Sequence, residues 1–494
     1  MTSKIIVIMR GWQRGLYATI ADALRTDCDV TVVANASTAE QMVTRFPELG
    51  DLIEVDSIEP VEIPEDQLVS ECLKREERYG EFFSMIASYD RALGKGYLVN
   101  VENHPDIGRS WWPQSKKLRV LLEEFMFYER LLEKITPDLV ISAHNGKILS
   151  LVARHHGATP LSIIGGRFGQ RYLWANDEYL QSSALKLNLS IHLNTPVREI
   201  DLSGVQYMET AIATARYREL DYSYRAATRK AVRRIAKGLI SQAWALASRI
   251  RHRRRSSAPR TGYHPLGWVP PILRRAHHYK IFTRAGVTPK DLVGKRIIYF
   301  PLHMEPEATL LSMTPEFNNS MELITWVSKA IPADTVLVVK ENPFSFGVRS
   351  GNFYNNLRRI GNVALAEPHG HSWEWIQAAD VVTTITGTAG YEAVFFDKPI
   401  LSFGKHQVIN GLPTARFAHD YSSTREGITA LLAMPSNDPA FDLAKYALHK
   451  AQLDVSFELP NYEHTAYGVD PEPEMGQNAV AAIRRQFPDL FLQA

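Results

Sequence analysis

The sequence predicts an α/β protein built from two Rossmann-like domains. Short runs rich in valine and isoleucine alternate with longer segments of helical periodicity, which is typical of parallel sheets covered by helices. This alternation ends near residue 200 and starts again near residue 291, and a strongly basic helical segment separates the two halves. The length of 494 residues agrees with two to three domains.

Four segments follow from this pattern. They are an N-terminal Rossmann-like domain (1–200), a basic helical insertion and linker (201–290), a second Rossmann-like domain (291–435) and C-terminal helices (436–494). The C-terminal helices are expected to pack back on the N-terminal domain. This division places the basic helical insertion between the two domains.

Strands are expected where short apolar runs are flanked by polar or turn-forming residues. In the first domain these runs cover residues 4–9, 29–34, 51–55, 137–144 and 159–164. In the second domain they cover residues 296–302, 334–343, 363–368, 380–386 and 399–404. Helices are expected over residues 15–26, 116–135, 147–157, 318–331, 372–379 and 478–491.

Residues 224–255 are predicted to form a basic helix. Apolar residues spaced three or four apart form a stripe along it: Val232, Ile235, Leu239, Ala243, Leu246 and Ile250. The charge comes from Arg229, Lys230, Arg233, Arg234, Lys237, Arg249, Arg251, Arg253, Arg254 and Arg255. Three interpretations remain open: a solvated helix packing one face on the protein, an interfacial helix on anionic lipid, or a nucleic-acid contact. No nucleic-acid motif or aromatic platform accompanies the helix, so no nucleic-acid partner is expected.

The composition argues against several classes of protein. Lysine plus arginine (56) nearly balance aspartate plus glutamate (54), so the net charge of +2 indicates no polyanionic partner for the whole chain. The sequence contains no P-loop, GxSxG, HExxH or CxxC motif, and residues 10–15 (RGWQRG) have too few glycines for a dinucleotide fingerprint. We therefore expect neither a metal ion nor a cofactor.

The cysteines and the hydropathy pattern predict the compartment. Cys28 and Cys72 have no metal-ligand spacing and give no disulfide framework, which favours a reducing environment. The N-terminal apolar run is too short for a signal peptide, and no run reaches the ~18 to 20 apolar residues of a membrane span. A cytoplasmic protein is expected, with peripheral contact on the inner face of the membrane through residues 229–255 left open.

The stretch TITGTAGYEAVFFDKPILSFGKH, residues 384–406, predicts a strand, a loop and a helix. Gly387 allows the backbone to approach a ligand closely, and the helix N-terminus with Thr386 and Thr388 offers donors that suit a phosphate. Glu392 is expected in the first helical turn, where it would accept hydrogen bonds from ligand hydroxyl groups. The alternative is a tight turn whose glutamate only balances the helix dipole.

Polar residues follow another strand of the second domain, over YFPLHMEPEATLL (299–311). Side chains at the carboxyl ends of parallel strands face the ligand crevice. His303, Glu305 and Glu307 are suited there to acid–base chemistry or to binding hydroxyl groups. The alternative is a loop whose acids face water.

Two further strand ends carry candidate ligand contacts. Lys340 in VVKENP (338–343) would act as a point charge for a phosphate, and Asn342 would donate or accept a hydrogen bond. His369 follows the next strand and would line a base pocket, although a structural histidine is the alternative.

Loops of the first half would face the second domain across a cleft and bind an acceptor. The candidates are Asp90, Arg91, His144, Asn145 and Arg167. Ordinary polar loops are the alternative explanation for all of them.

Taken together, these motifs resemble the capsule polysaccharide biosynthesis/export family, whose members include Kdo transferases. The resemblance covers about residues 295–410. TITGTAGYEAVFFDKPILSFG is similar to that family's strand, loop and helix with a Glu-Ala pair, VVKENP to its Lys-x-His-Pro segment, and YFPLHMEPEATLL to an opening strand motif. Asn342 stands where the family has histidine.

The resemblance implies a GT-B-like glycosyltransferase of surface polysaccharide or glycoconjugate assembly. Donor contacts would come from Lys340, Asn342, His369, Thr386, Gly387, Thr388 and Glu392, with His303, Glu305 and Glu307 bordering the reacting sugar. The partners would be a nucleotide-sugar donor, CMP-Kdo-like, and a glycan or lipid-linked acceptor held by the first domain. Two alternatives remain: a nucleotide-sugar epimerase of the same fold, and a non-catalytic export or scaffold protein.

Overall fold

A computed structural model describes the chain at residues 2–9, 14–90, 93, 112–143, 146–208, 222–252, 266, 269–305, 307–317, 319–459 and 472–491. The described residues fall into two compact units. Unit 1 comprises those within Met1–Ile86, Gln114–Ala215 and Tyr446–Ala494. Unit 2 comprises those within Ala87–Pro113 and Arg216–Lys445.

The strands and helices alternate along most of the chain. The strands are β1 (Lys4–Ile8), β2 (Asp29–Ala34), β3 (Ile53–Val55), β4 (Leu139–Ser142), β5 (Thr159–Gly165), β6 (Arg171–Ala175), β7 (Gly286–Val287), β8 (Arg296–Pro301), β9 (Thr335–Lys340), β10 (Val363–Ala366), β11 (Val381–Thr384), β12 (Ile400–Ser402), β13 (Ala415–Phe417) and β14 (Phe457–Glu458). The helices are α1 (Arg14–Leu24), α2 (Ala36–Arg45), α3 (Glu65–Tyr79), α4 (Phe83–Tyr89), α5 (Gln114–Ile135), α6 (Lys147–His155), α7 (Ser183–Leu193), α8 (Tyr224–His252), α9 (Val269–Ala285), α10 (Ala308–Met313), α11 (Ser320–Ala330), α12 (Phe353–Arg359), α13 (Ser372–Ala378), α14 (Thr388–Phe395), α15 (Tyr421–Leu432), α16 (Ala440–Val455) and α17 (Pro473–Gln486).

Unit 1 contains a sheet of seven described strands in the order β14-β6-β5-β4-β1-β2-β3. Strands β1 to β5 pair in parallel, whereas β6 is antiparallel to β5 and β14 is antiparallel to β6. The core is continuous with α17, since Gly476 lies against the backbone of Thr19 on α1 and the Trp174 indole donates to the Ala479 carbonyl at 2.9 Å. A side chain at Gly476 would not fit this contact.

Unit 2 contains a second sheet of seven described strands, in the order β13-β12-β11-β8-β9-β10-β7, and every pair in it is parallel. Ile298 on the central strand β8 pairs with Leu337 on β9 and with Val381 on β11. These three side chains are fully buried, as expected for a parallel sheet covered on both faces. The predicted α/β class with two parallel-dominant sheets is confirmed.

Strand β6 is an element that sequence patterning missed. Its five residues, RYLWA, begin with a half-buried arginine and tyrosine and show no alternation long enough to stand out. The strand exists because it pairs on both sides, between β5 and β14: Trp174 pairs with Ile163 of β5, and Tyr172 pairs with Phe457 of β14. Such pairing is a long-range contact that a local pattern does not contain.

The basic helix is present as α8, and over its described part the larger apolar residues of its stripe do not form the contact with α9. The helix contacts α9 through a cluster of mostly small residues: Ala227, Ala231, Ile272 and Ala276. Val232, Ile235 and Leu239 of the stripe are 60%, 39% and 55% exposed. Small alanines allow close approach of the two helices, so the larger apolar residues are left beside the contact rather than in it.

Candidate functional site

The topology of unit 2 marks a crevice between β8 and β11. From β8 the chain builds β9 and β10 on one side, and it then returns to the other side of β8 to build β11, β12 and β13. The loops that leave neighbouring strands at such a switch point diverge, and ligands bind in the crevice outside the carboxyl ends of the strands. The loops in question begin at Leu302 and Ile385.

His303 joins these two loops. Its ring is 6% exposed, and Nε2 accepts a hydrogen bond from the backbone N–H of Thr386 at 3.0 Å. A Cβ at Gly387 would lie 2.9 Å from Nε2, so the glycine is required by the approach of this imidazole. Because Nε2 accepts, the proton of the neutral ring is assigned to Nδ1.

Glu305 is held by a buried guanidinium. Its Oε2 lies 3.0 Å from Nη1 of Arg349, whose Nε lies 2.5 Å from Oε2 of Glu341 and whose Nη2 donates to the His303 carbonyl at 2.6 Å. The Tyr354 hydroxyl also donates to Glu341, at 2.7 Å. This network holds the loop that follows β8 in place. Glu305 is buried, so the alternative of a loop whose acids face water does not apply to this residue.

Sequence reasoning missed three members of this network: Glu341, Arg349 and Tyr354. Glu341 stands between two residues that were selected, Lys340 and Asn342, so its position at a strand end was the available signal. Arg349 lies beyond the end of β9, and nothing in its local pattern indicates that it is 1% exposed.

The second carboxylate oxygen of Glu305 differs from the first in its contacts. Oε1 is buried, and it has no hydrogen-bond partner among the described residues. Burial raises the pKa of this carboxyl group, and the Arg349 charge offsets part of that effect. A carboxyl group with one oxygen fixed and the other unpaired is suited to exchange a proton with a ligand hydroxyl.

Lys340 ends β9 as a buried cation. The residue is 6% exposed, and its Nζ donates to the carbonyls of Glu367 and Pro368, each at the long distance of 3.4 Å. Burial lowers the pKa of Lys340 to about 8, although nearby carboxylates act in the opposite direction. A desolvated ammonium with only two weak acceptors would gain from an anionic partner.

The N-terminus of α14 lies on the β11 side of the crevice. Gly387 is its N-cap without a side-chain bond to the helix, and the Thr384 hydroxyl accepts from the Gly387 N–H at 3.0 Å. The Thr386 hydroxyl is buried with no hydrogen-bond partner among the described residues. Since Thr388 opens a helix whose first N–H groups have no intrahelical acceptor, this end of α14 can receive an anion.

Glu392 of the same helix differs from expectation. It is the fifth residue of α14 and lies in the second turn, so its predicted placement in the first turn is wrong. Its side chain is 8% exposed. A Cβ at Gly390 would lie 2.7 Å from both Ile409 and Thr384, so that glycine serves packing between the helix and the sheet.

Three more candidate residues lie in the loops that follow the carboxyl ends of the strands: Asn342, Glu307 and His369. Asn342 accepts from the Phe344 N–H at 3.0 Å and caps a short 3₁₀ turn, and Glu307 is the N-cap of α10 without a side-chain cap bond. His369 is hydrogen-bonded through Nε2 to the hydroxyl of Tyr279. That tyrosine stacks on Tyr222 with ring centroids 4.3 Å apart.

A shallow, open cavity of about 470 Å³ lies beside His369. Its lining includes Tyr222 and Tyr279, together with Lys280 and Thr283. The volume is in the range of small-molecule sites, and aromatic rings beside a few polar groups are able to stack on a planar group.

Two of the predicted acceptor residues, Asp90 and Arg167, lie within the described part of the chain. The Asp90 carboxylate accepts from the Leu93 N–H at 2.9 Å, and Arg167 is half-buried in a turn with a positive φ of 61°. These two residues belong to different units. Arg91, His144 and Asn145 lie outside the described residues.

Metal-binding clusters and membrane-spanning helices were both absent from the part of the chain that the structure describes. Within it, no group of three or more histidine, cysteine, aspartate or glutamate residues is arranged to hold a metal ion. No helix of the same part is both long and apolar enough to cross a membrane.

The chain was compared with known proteins. No model of a protein family matches it, and no curated protein matches it. Solved structures to which the chain is similar include MnaA from S. aureus with UDP (10% identity, covering 100% of this chain and 98% of that one, TM-score 0.28), UDP-GlcNAc 2-epimerase from Methanocaldococcus jannaschii with UDP-GlcNAc and UDP (12%, 88% and 94%, 0.26) and the β-Kdo 2,7-transferase KpsC from Thermosulfurimonas dismutans (13%, 61% and 79%, 0.30). These likenesses are distant.

Proposed function

We propose that the protein is a glycosyltransferase that uses a nucleotide-activated sugar bound by unit 2, in surface or capsule polysaccharide or glycoconjugate biosynthesis. The observation that carries the proposal is the meeting of the β8 and β11 exits at the switch point of the sheet. There a buried imidazole, a carboxyl group with an unpaired oxygen and a helix N-terminus converge. The sequence motifs over residues 295–410 favour a CMP-Kdo-like donor.

The donor phosphate would be stabilised as it leaves by Lys340 and by the N–H groups at the start of α14, with Thr386 as an additional donor. His369 and the aromatic cavity beside it would receive the base. Glu305 would accept the proton of the acceptor hydroxyl, while Glu307 and Glu392 would bind sugar hydroxyl groups. Because a lysine and a helix end supply the positive charge, this mechanism requires no metal ion.

The acceptor would be a glycan or a lipid-linked glycan. Asp90, Arg91, His144, Asn145 and Arg167 are the residues proposed to contact it. The protein would work in the cytoplasm, on the inner face of the membrane.

The first test is a thermal-shift panel with CMP, CDP, UDP, GDP and free sugars. A ligand that binds only the folded state stabilises it by about 2.7 kcal/mol at a hundredfold excess over Kd. We expect one nucleotide to raise the unfolding midpoint selectively, and we expect Lys340→Ala to abolish the shift. Lys295→Ala is the matched control, because Lys295 is an exposed lysine of the same unit. No shift with any nucleotide would sink the donor-site proposal.

A nucleotide-sugar epimerase is the rival enzyme, since its reaction would use the same donor site but no acceptor. Incubation with donor alone separates the two: a converted nucleotide sugar indicates an epimerase. A scaffold protein is the third candidate. Unchanged polysaccharide output from cells carrying Glu305→Ala, Glu307→Ala and Lys340→Ala would favour the scaffold.

A further inference from the structure

Helix α8 leaves an apolar strip uncovered. Successive residues of a helix are rotated by about 100°, which places Ile235, Leu239 and Val232 side by side, next to the alanines that face α9. They are 39%, 55% and 60% exposed. Large apolar side chains in a contiguous exposed strip are a feature of interaction surfaces.

The same helix carries an exposed cationic face. Six basic side chains are exposed on its described part: Arg225, Arg229, Lys230, Arg233, Arg234 and Lys237. None of them forms an ion pair with another described residue, and residues 224–252 contain no aspartate or glutamate. The helical rotation places Arg225 and Arg229 directly beside the apolar strip on its solvent side. The charge on the described part of α8 is therefore not compensated by any other described residue.

Basic side chains also lie close together where α8 contacts α9. Partial burial, then the charges of Arg275 and Arg234, lowers the pKa of Lys230. Two nitrogens of Arg275, Nε and Nη2, are buried without a hydrogen-bond partner among the described residues, while its guanidinium lies 5.0 Å from the Tyr222 ring centroid. Like charges held together in this way would be relieved by an anion.

We propose that α8 binds the surface of an anionic lipid bilayer. The apolar strip would enter the boundary between head groups and acyl chains, and the flanking arginines would extend to the lipid phosphates. An anionic bilayer accounts for both parts of this surface. Its phosphates would pair with the exposed basic side chains, and its acyl chains would contact the apolar strip. A nucleic acid would use the cations alone and would leave the strip in water.

Vesicle flotation with the full chain tests the proposal. We expect the protein to float with vesicles in which about half of the phosphatidylcholine is replaced by phosphatidylglycerol, and to remain at the bottom with phosphatidylcholine alone. Binding should weaken as the salt concentration rises, because exposed charges are screened. If the full chain does not float with anionic vesicles, the proposal is overturned.

Two pairs of variants separate charge from apolar contact. Arg229→Glu with Arg233→Glu should lower the partition coefficient at least about tenfold, and Arg358→Glu with Arg359→Glu, an exposed basic pair of α12, should leave it unchanged. Val232→Ser with Leu239→Ser should also lower it at least about tenfold. Its control is Val69→Ser with Leu73→Ser on α3, whose side chains are similarly exposed, at 54% and 57%.

The outcomes are distinct. Loss of vesicle binding in both α8 pairs, with both control pairs unaffected, supports the bilayer contact. Equal loss in the controls, or unchanged flotation of the α8 pairs, overturns it. Binding of a single-stranded RNA through the same arginines, without vesicle binding, overturns it in favour of a nucleic-acid surface.

Discussion

Lys340 links the proposed donor site to pH. Burial lowers its pKa from 10.5 to about 8. Below that pH the side chain already carries the charge that binds phosphate, whereas above it the free protein must first take up a proton. We expect nucleotide affinity to be flat between about pH 7 and 7.5 and to fall by up to tenfold per pH unit above about pH 8. Calorimetric titration across this range measures the profile.

Lys340→Arg provides the control for this profile. A guanidinium keeps its charge at every pH of the titration, so whatever affinity the variant retains should not fall on the alkaline side. Lys295→Arg, at an exposed position, should keep the wild-type profile. An alkaline fall that persists in Lys340→Arg would show that another group is responsible.

Arg349 is the residue on which the buried network depends for stability. Its removal in Arg349→Leu leaves the carboxylates of Glu305 and Glu341 buried without a cation, at an expected cost of about 3–5 kcal/mol in the free energy of unfolding. Arg296→Leu breaks an exposed pair with Asp334, of 2.7 Å, and should cost less than about 1 kcal/mol. Urea denaturation followed by tryptophan fluorescence compares them, and equal losses would contradict a structural role for the network.

At the scale of elements, the loop between β11 and α14 depends on Gly387. In Gly387→Ala the new Cβ would lie 2.9 Å from His303 Nε2, so the imidazole must move and lose the Thr386 N–H. We expect a loss of about 1–3 kcal/mol in stability, together with weaker nucleotide binding, because the two strand exits separate. Thermal unfolding with and without nucleotide measures both effects.

Gly361→Ala is the matched control for this loop. A Cβ at Gly361 meets nothing within 4 Å. The change should therefore be neutral or stabilise by up to about 1 kcal/mol, through the unfolded chain. Nucleotide binding that survives in Gly387→Ala would separate the His303 contact from the ligand site.

The division into compact units matters at the scale of the whole molecule. Each unit buries a core of its own: one around Val7 and Ile141, the other around Phe300 and Leu337. A nucleotide held by unit 2 would stabilise that unit directly by mass action. The thermal-shift experiment should therefore follow a signal that reports on the unfolding of unit 2, such as the fluorescence of the fully buried Trp375.

Local patterns were sufficient for much of the fold. Strands β8 and β9 were predicted to within a few residues at each end, because both are short apolar runs bounded by polar residues and buried on both faces. Helix α8 was predicted for the same kind of reason, from its periodicity. The periodicity did not show which of its faces packs, since the two alanines that contact α9 are less conspicuous than the larger apolar residues.

For the candidate site, local patterns in the sequence were enough to predict which strands end in polar residues, and hence that His303, Lys340 and Thr386 follow the carboxyl ends of parallel strands. The folded chain was needed to show that β8 and β11 are neighbours, that His303 accepts from the Thr386 N–H, and that Arg349 holds Glu305. Periodicity and turn chemistry act over a few residues, whereas burial and charge pairing join residues that are dozens of positions apart.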